Sequence, residues 1–169
     1  GSFPVQISDG KLNVGLVWGG SPTHKNDHNR SLTLSQLKPF LDITGCRFHN
    51  LQVDDRKLEI SADGLSDHVL DMTDNIRDLA DTADLIAQLD LVIAVDTSVA
   101  HLAGAMGTPV WILLPKPADW RWLRDREDSP WYPTARLFRQ TKRGDWEDVI
   151  ERVASELEAY SLRQAGRLN

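Results

Sequence analysis

Residues 91–114 read LVIAVDTSVAHLAGAMGTPVWILL, and this stretch decides the fold. Leu91–Val95 is a fully apolar run, the mark of a strand buried on both faces. Thr97 to Met106 is a helix of small residues that Gly107 closes, and Pro109 to Leu114 is a second apolar strand. Strand, helix and strand at this spacing form a unit of the parallel-sheet type. The same alternation extends in both directions. Upstream, Leu12–Trp18 (LNVGLVW) reads as a buried strand that stops at Gly19-Gly20. Thr33 and Gln36 then form a capping box, with Leu32 and Leu37 as a hydrophobic staple, so a helix is expected to about Ile43. Its apolar positions Leu34, Leu37, Phe40 and Leu41 share one face, and Gly45 is expected as the C-terminal cap.

Cys46–Val53 is the next strand, with a short element expected near Leu58–Ile60 and a short strand at Val69–Met72. From Asn75 the residues Ile76, Leu79, Ala83 and Ile86 keep helical spacing, and Asp81-Thr82 offers a cap for a second, shorter helix. Downstream, a long loop from Pro115 to Pro133 precedes a strand at Ala135–Arg139 and an amphipathic helix from about Trp146 to Tyr160. The expected fold is α/β, an open parallel sheet with helices on both faces. Such a sheet takes ligands in the crevice at the carboxyl ends of its strands, which singles out the loops after Trp18, Met72, Val95 and Leu114.

Length and composition bound the function. A chain of 169 residues with 41% apolar and 26% charged residues suits one globular domain, and no apolar run reaches the ~20 residues of a membrane span. Gly1-Ser2 reads as a cloning scar, leaving residues 3–169 as a single domain. With no signal-peptide pattern and one cysteine, Cys46, the expected location is cytoplasmic. A net charge of −6 argues against a general nucleic-acid binder. The charge is unevenly spread. Asp54 to Asp96 carries twelve acidic and three basic residues, whereas Lys116 to Arg143 carries eight basic and four acidic, so an anion is drawn to the second stretch.

Asp96-Thr97-Ser98-Val99-Ala100-His101 is the sharpest chemical feature, because it joins a buried strand to a helix start whose N–H groups suit a phosphate or pyrophosphate. His101, three and four positions after Ser98 and Thr97, lies on their side of the helix. The competing reading makes Asp96 or Thr97 a simple cap and His101 a packing residue. In the loop after the first strand, Lys25 and Arg30 are candidate phosphate cations. His24, Asp27 and His28 there are alternatively metal ligands, and the whole loop alternatively a solvated one. In the loop after Leu114, Trp120, Trp122 and Trp131 interleave with Lys116, Arg121, Arg124 and Arg126. That pattern suits a ring or sugar face beside phosphate, or equally a patch that docks a neighbouring domain. Neither G-x-x-x-x-G-K-[ST] nor G-x-G-x-x-G after the first strand is present, which disfavours a P-loop ATPase and a dinucleotide dehydrogenase.

DTSVAHLAGAMGTPVWILLP, DWRW, DSPWYPTARLFRQ and VWGGSPTHKNDHNRSL together resemble the C-terminal half of heptosyltransferase-like glycosyltransferases of the family 9 type. The likeness runs from about Leu12 to Leu157 and is nearest to bacterial proteins in which such a domain follows tetratricopeptide repeats. The resemblance implies the C-terminal, Rossmann-like half of a GT-B fold. It also implies inverting transfer from a nucleoside-diphosphate sugar to an acceptor hydroxyl, with no metal and no cofactor beyond the donor. Asp96, Thr97, Ser98 and His101 are then expected at the donor diphosphate, with Lys25 or Arg30 standing in for the family's lysine. Met72, Asp119 and Trp120 are expected near the donor base or sugar. Ser98 replaces a common glycine of the family, and the acidic general base belongs to an N-terminal domain, which also holds the acceptor glycan, lipid or protein. The chain alone is therefore expected to be inactive. Two rivals remain in view: a non-catalytic nucleotide- or partner-binding module, and half of a nucleotide-sugar epimerase.

Overall fold

A computed structural model describes residues 10–20, 32–116 and 133–167. Six strands form one sheet: β1 (Leu12–Val17), β2 (Cys46–Asn50), β3 (Val69–Asp71), β4 (Leu91–Val95), β5 (Val110–Leu114) and β6 (Ala135–Arg139). Their order is β3-β2-β1-β4-β5-β6 and every pairing is parallel. The expected open parallel sheet is thus observed. Its order reverses between β1 and β4, so the crevice of a doubly wound sheet opens between their carboxyl ends.

Five helices lie among the described residues: α1 (Lys38–Leu41), α2 (Glu59–Ala62), α3 (Leu79–Ile86), α4 (Ser98–Ala105) and α5 (Glu147–Arg167). They divide between the two faces of the sheet because side chains alternate along each strand. Leu12, Val14, Leu16 and Trp18 point to the face covered by α1, α2 and α5, together with Leu91, Ile93 and Val95 of β4. Val92 and Ala94 point to the face under α3 and α4. All of β1, β4 and β5 is buried. Each large apolar side chain so buried contributes roughly 1.5–3 kcal/mol, which is why these strands carry no polar alternation.

Several local expectations need correction. The segment after Leu32 is a 3-10 turn at Leu34–Leu37 and a single α turn at Lys38–Leu41, not one continuous helix. Pro39 supplies the reason, since it has no N–H to offer the carbonyl a turn earlier. The Thr33 N–H does donate to Gln36 Oε1 at 2.8 Å, and Leu34, Leu37, Phe40 and Leu41 are buried as their spacing requires. Gly45 is not among the glycines with positive φ and does not cap α1; a Cβ there would sit 3.0 Å from Ser161 Oγ, so its bareness lets α5 pack close. The Asn75 region is a 3-10 turn followed by an extended Ile76. α3 starts only after Asp78, whose carboxylate accepts the Asp81 N–H at 2.9 Å, leaving Asp81 inside the helix instead of at its cap. α5 runs on to Arg167, past the expected end at Tyr160. No helix among the described residues is long and apolar enough to cross a membrane.

Candidate functional site

β4 delivers Asp96 to the carboxyl edge, where it is the first polar residue after five buried apolar ones. Thr97 follows as the N-cap of α4, its hydroxyl accepting from Ala100 N at 3.4 Å and donating to the Val95 carbonyl at 3.1 Å. Ala100, Ala103 and Gly104 are buried against the sheet, and Gly107 closes the helix at φ 78°. These small residues fix the start of α4 closely over β4. Ser98 stands exposed at its first position, where the leading N–H groups have no carbonyl one turn back. His101, one turn in, donates from Nε2 to Asp96 Oδ1 at 2.8 Å, with the histidine side chain 25% and the aspartate 11% exposed. The aspartate is therefore a partner of His101, while the cap is Thr97. The groups gathered at this helix start that suit an anion are the leading backbone N–H groups, the Ser98 hydroxyl and the imidazole.

β1 ends beside this helix start. Val17 pairs with Ala94, and continuing the register by two residues sets Gly19 level with Asp96. Trp18 and Gly19 are held by a buried side chain absent from the sequence reading. Gln52 accepts from Trp18 N at 3.2 Å and Gly19 N at 3.1 Å, and it donates to the Gly19 carbonyl at 3.0 Å and Asp54 Oδ1 at 3.1 Å. Its own backbone N–H donates to Asn50 Oδ1 at 2.7 Å, and Asn50 Nδ2 reaches Asp71 Oδ1 at 3.1 Å. Asp71 also takes the Thr73 N–H at 3.0 Å and the Thr73 hydroxyl at 2.6 Å, bonds that lower its carboxyl pKa against the opposing effect of desolvation. Glu59 completes the frame, accepting Trp18 Nε1 at 3.1 Å and Leu34 N at 3.0 Å on its two oxygens. A continuous polar network thus joins the carboxyl ends of β1, β2 and β3.

Met72 lies at this edge just after β3, partly buried against the cluster under α3 and α4. Three strand spacings separate β3 from β4, about 14 Å at the usual ~4.8 Å per strand, so Met72 and Asp96 mark two ends of one edge. Lys116, after β5, donates its N–H to Gln140 Oε1 at 2.9 Å. Lys25, Arg30, Asp119 and Trp120 lie outside the described residues, as do His24, Asp27 and His28. Among the described residues there is no group of three side chains placed to hold a metal ion.

Comparison with known proteins agrees with the fold. Residues 75–116, which hold α3, β4, α4 and β5, match the family model described as Glycosyltransferase family 9 (heptosyltransferase). The chain is similar to Protein FlbA of Caulobacter vibrioides, 33% identical over 153 residues, which cover 88% of this chain and 25% of that protein. Its fold is similar to that of E. coli heptosyltransferase WaaC with ADP-2-deoxy-2-fluoro heptose, at a TM-score of 0.62 and 13% identity, covering 89% of this chain and 45% of that one. E. coli ADP-heptose lps heptosyltransferase II superposes with a TM-score of 0.58 at 19% identity, covering 94% of this chain and 49% of that one. The chain spans a quarter of the length of the curated relative and just under half of the solved heptosyltransferases. The likeness to family 9 is confined to residues 75–116, while the fold as a whole is similar to one half of a solved heptosyltransferase.

Proposed function

We propose that this chain is the donor-binding domain of a glycosyltransferase, one that moves a sugar from a nucleoside diphosphate to an acceptor hydroxyl with inversion and without a metal. The observation that carries this reading is the placement of Asp96, Thr97, Ser98 and His101 at the point where the strand order reverses, inside the segment of family 9 type. A diphosphate seated there meets the leading N–H groups of α4, the Ser98 hydroxyl and His101. As the acceptor oxygen bonds to the anomeric carbon and the bond from that carbon to the diphosphate oxygen breaks, negative charge builds on the departing diphosphate, and donors already aimed at it stabilise that charge without reorganising. In this reading the donor's cationic partner is Lys25 or Arg30, and its base or sugar is contacted by Met72, Asp119 and Trp120; of these only Met72 is among the described residues. The structures that superpose on this chain are described with ADP and with an ADP-linked fluoro-heptose, which supports an adenine nucleotide as the first donor to try.

The general base and the acceptor site belong, in this reading, to a further domain of a longer protein, cytoplasmic and linked to tetratricopeptide repeats. The 169-residue chain then binds donor weakly and transfers no sugar. Calorimetric titration with ADP, GDP, UDP and dTDP, followed by product analysis with the matching sugar nucleotides, tests this. One nucleoside diphosphate should bind at a single site, with no sugar transferred. Absence of binding across the panel, or brisk transfer by this chain alone, contradicts it.

A further inference from the structure

Gly19 ends β1 with no side chain, and the space a side chain would take belongs to Arg56. A Cβ at Gly19 would overlap Arg56 Cδ and Nε and come within 2.8 Å of Cζ, so the guanidinium lies across the backbone of Gly19. That backbone is level with Asp96 when the β1–β4 register is continued, which puts Arg56 at the mouth of the crevice between these strands. We propose that Arg56 is a further donor-binding residue, a cation held over Gly19 to contact the diphosphate. The proposal rests on the donor-binding reading and adds a residue to it.

Three observations support the assignment. The segment carrying Arg56 is fixed at both ends. Asp54 Oδ1 accepts both Arg56 N at 3.0 Å and Gln52 Nε2 at 3.1 Å, while Glu59, three residues on, grips Trp18 Nε1 and Leu34 N. An arginine delivered from such a frame loses little conformational freedom when it binds. The electrostatics demand a cation, since the loops at the ends of β2, β3 and β4 bring Asp54, Asp55, Asp71, Asp74 and Asp96 to this edge. The chemistry also fits: a guanidinium presents parallel N–H groups that match phosphate oxygens two at a time. The bareness of Gly19 then has a use beyond ending a strand, since any side chain there would push the guanidinium off the crevice.

The test titrates the 169-residue chain with ADP, GDP, UDP and dTDP, and repeats the tightest case with Arg56→Gln, Arg56→Lys, Gly19→Ala and, as reference, His101→Gln. Arg56→Gln should weaken binding by about tenfold or more, the scale of a lost charge-assisted bond, and should make binding less salt-dependent. Arg56→Lys should fall between it and the parent. Gly19→Ala should weaken binding in the same direction although it leaves the guanidinium itself intact. Circular dichroism at the titration temperature shows that each variant is folded. If His101→Gln weakens binding while Arg56→Gln and Gly19→Ala bind like the parent, the role of Arg56 is overturned and the donor-binding reading stands. If the parent binds no nucleoside diphosphate, both fall together.

Discussion

Asp96 Oδ1 accepts a 2.8 Å hydrogen bond from His101 Nε2, tying the residue that ends β4 to the first turn of α4. The bond orients the imidazole at the helix start. His101 is thereby held ready for an anion at the leading N–H groups of α4, with its position fixed before the ligand arrives.

Replacing His101 by Gln keeps a hydrogen-bond donor and removes the imidazole. Affinity for nucleoside diphosphate should fall by about 1–2 kcal/mol, with the melting temperature little changed. Calorimetry and a melting curve on this one variant check it. A lower melting temperature with affinity intact would instead mark His101 as a packing residue.

Gln52 is the buried splint between β2 and the end of β1. Its replacement by Ala removes the acceptor for the Trp18 and Gly19 N–H groups at 3.2 and 3.1 Å and the donor for the Gly19 carbonyl. A loss of roughly 2–3 kcal/mol in stability is expected, since buried polar groups stranded without partners cost more than the bonds they made. Denaturant titration measures it; a change under half a kcal/mol would show that water replaces the amide at no cost.

His49 sets a pH dependence. It is buried on the sheet face beneath α3, with Nε2 3.0 Å from Asn13 Oδ1, and burial first, then the nearby Arg47 charge, push its pKa down from 6.5 to about 4. The unfolded chain therefore takes up this proton at a higher pH than the folded one. Stability contributed by neutral His49 is complete above pH 6.5 and is lost as pH falls toward 4, by up to about 3 kcal/mol. Unfolding midpoints measured from pH 7.5 to 4.5 should decline in the parent and decline less in His49→Gln, whose amide can still bond Asn13. Equal slopes in the two would contradict the assignment.

Cys46 should be inert while the chain is folded. Burial on β2 pushes its thiol up to about 12, so almost no thiolate exists at pH 8. A thiol-specific disulfide reagent should label it only after denaturant is added; fast labelling of the folded chain would refute this.

What the sequence disclosed and what it hid follow from the range of the interactions. Leu91–Val95 and Val110–Leu114 were legible because strands buried on both faces leave continuous apolar runs, and Thr97, His101 and Gly107 sit within the same short segment. Gln52, Arg56, Glu59 and Asn50 were not legible, since their partners lie across the sheet edge: Gln52 meets Gly19, Glu59 meets Trp18, and Asn50 meets Asp71. No local periodicity marks such contacts. The poor apolar pattern of residues 54–59 was itself a signal, for a segment that packs through hydrogen bonds at a strand end needs no apolar face. The break in the Asn75 region was visible, but Asp78 and Asp81 are both capping residues by type. Only the backbone shows that Ile76 is extended and that Asp78 holds the cap.

The most direct test is a nuclear magnetic resonance titration of the isotopically labelled chain with the nucleoside diphosphate that binds best. The account predicts that the largest amide shifts fall on Gly19 and on residues 96–101, with a smaller set around Met72. Shifts confined to the opposite, amino edge of the sheet, around Lys11, Thr44 and Asp67, or no shifts at millimolar ligand, would contradict it.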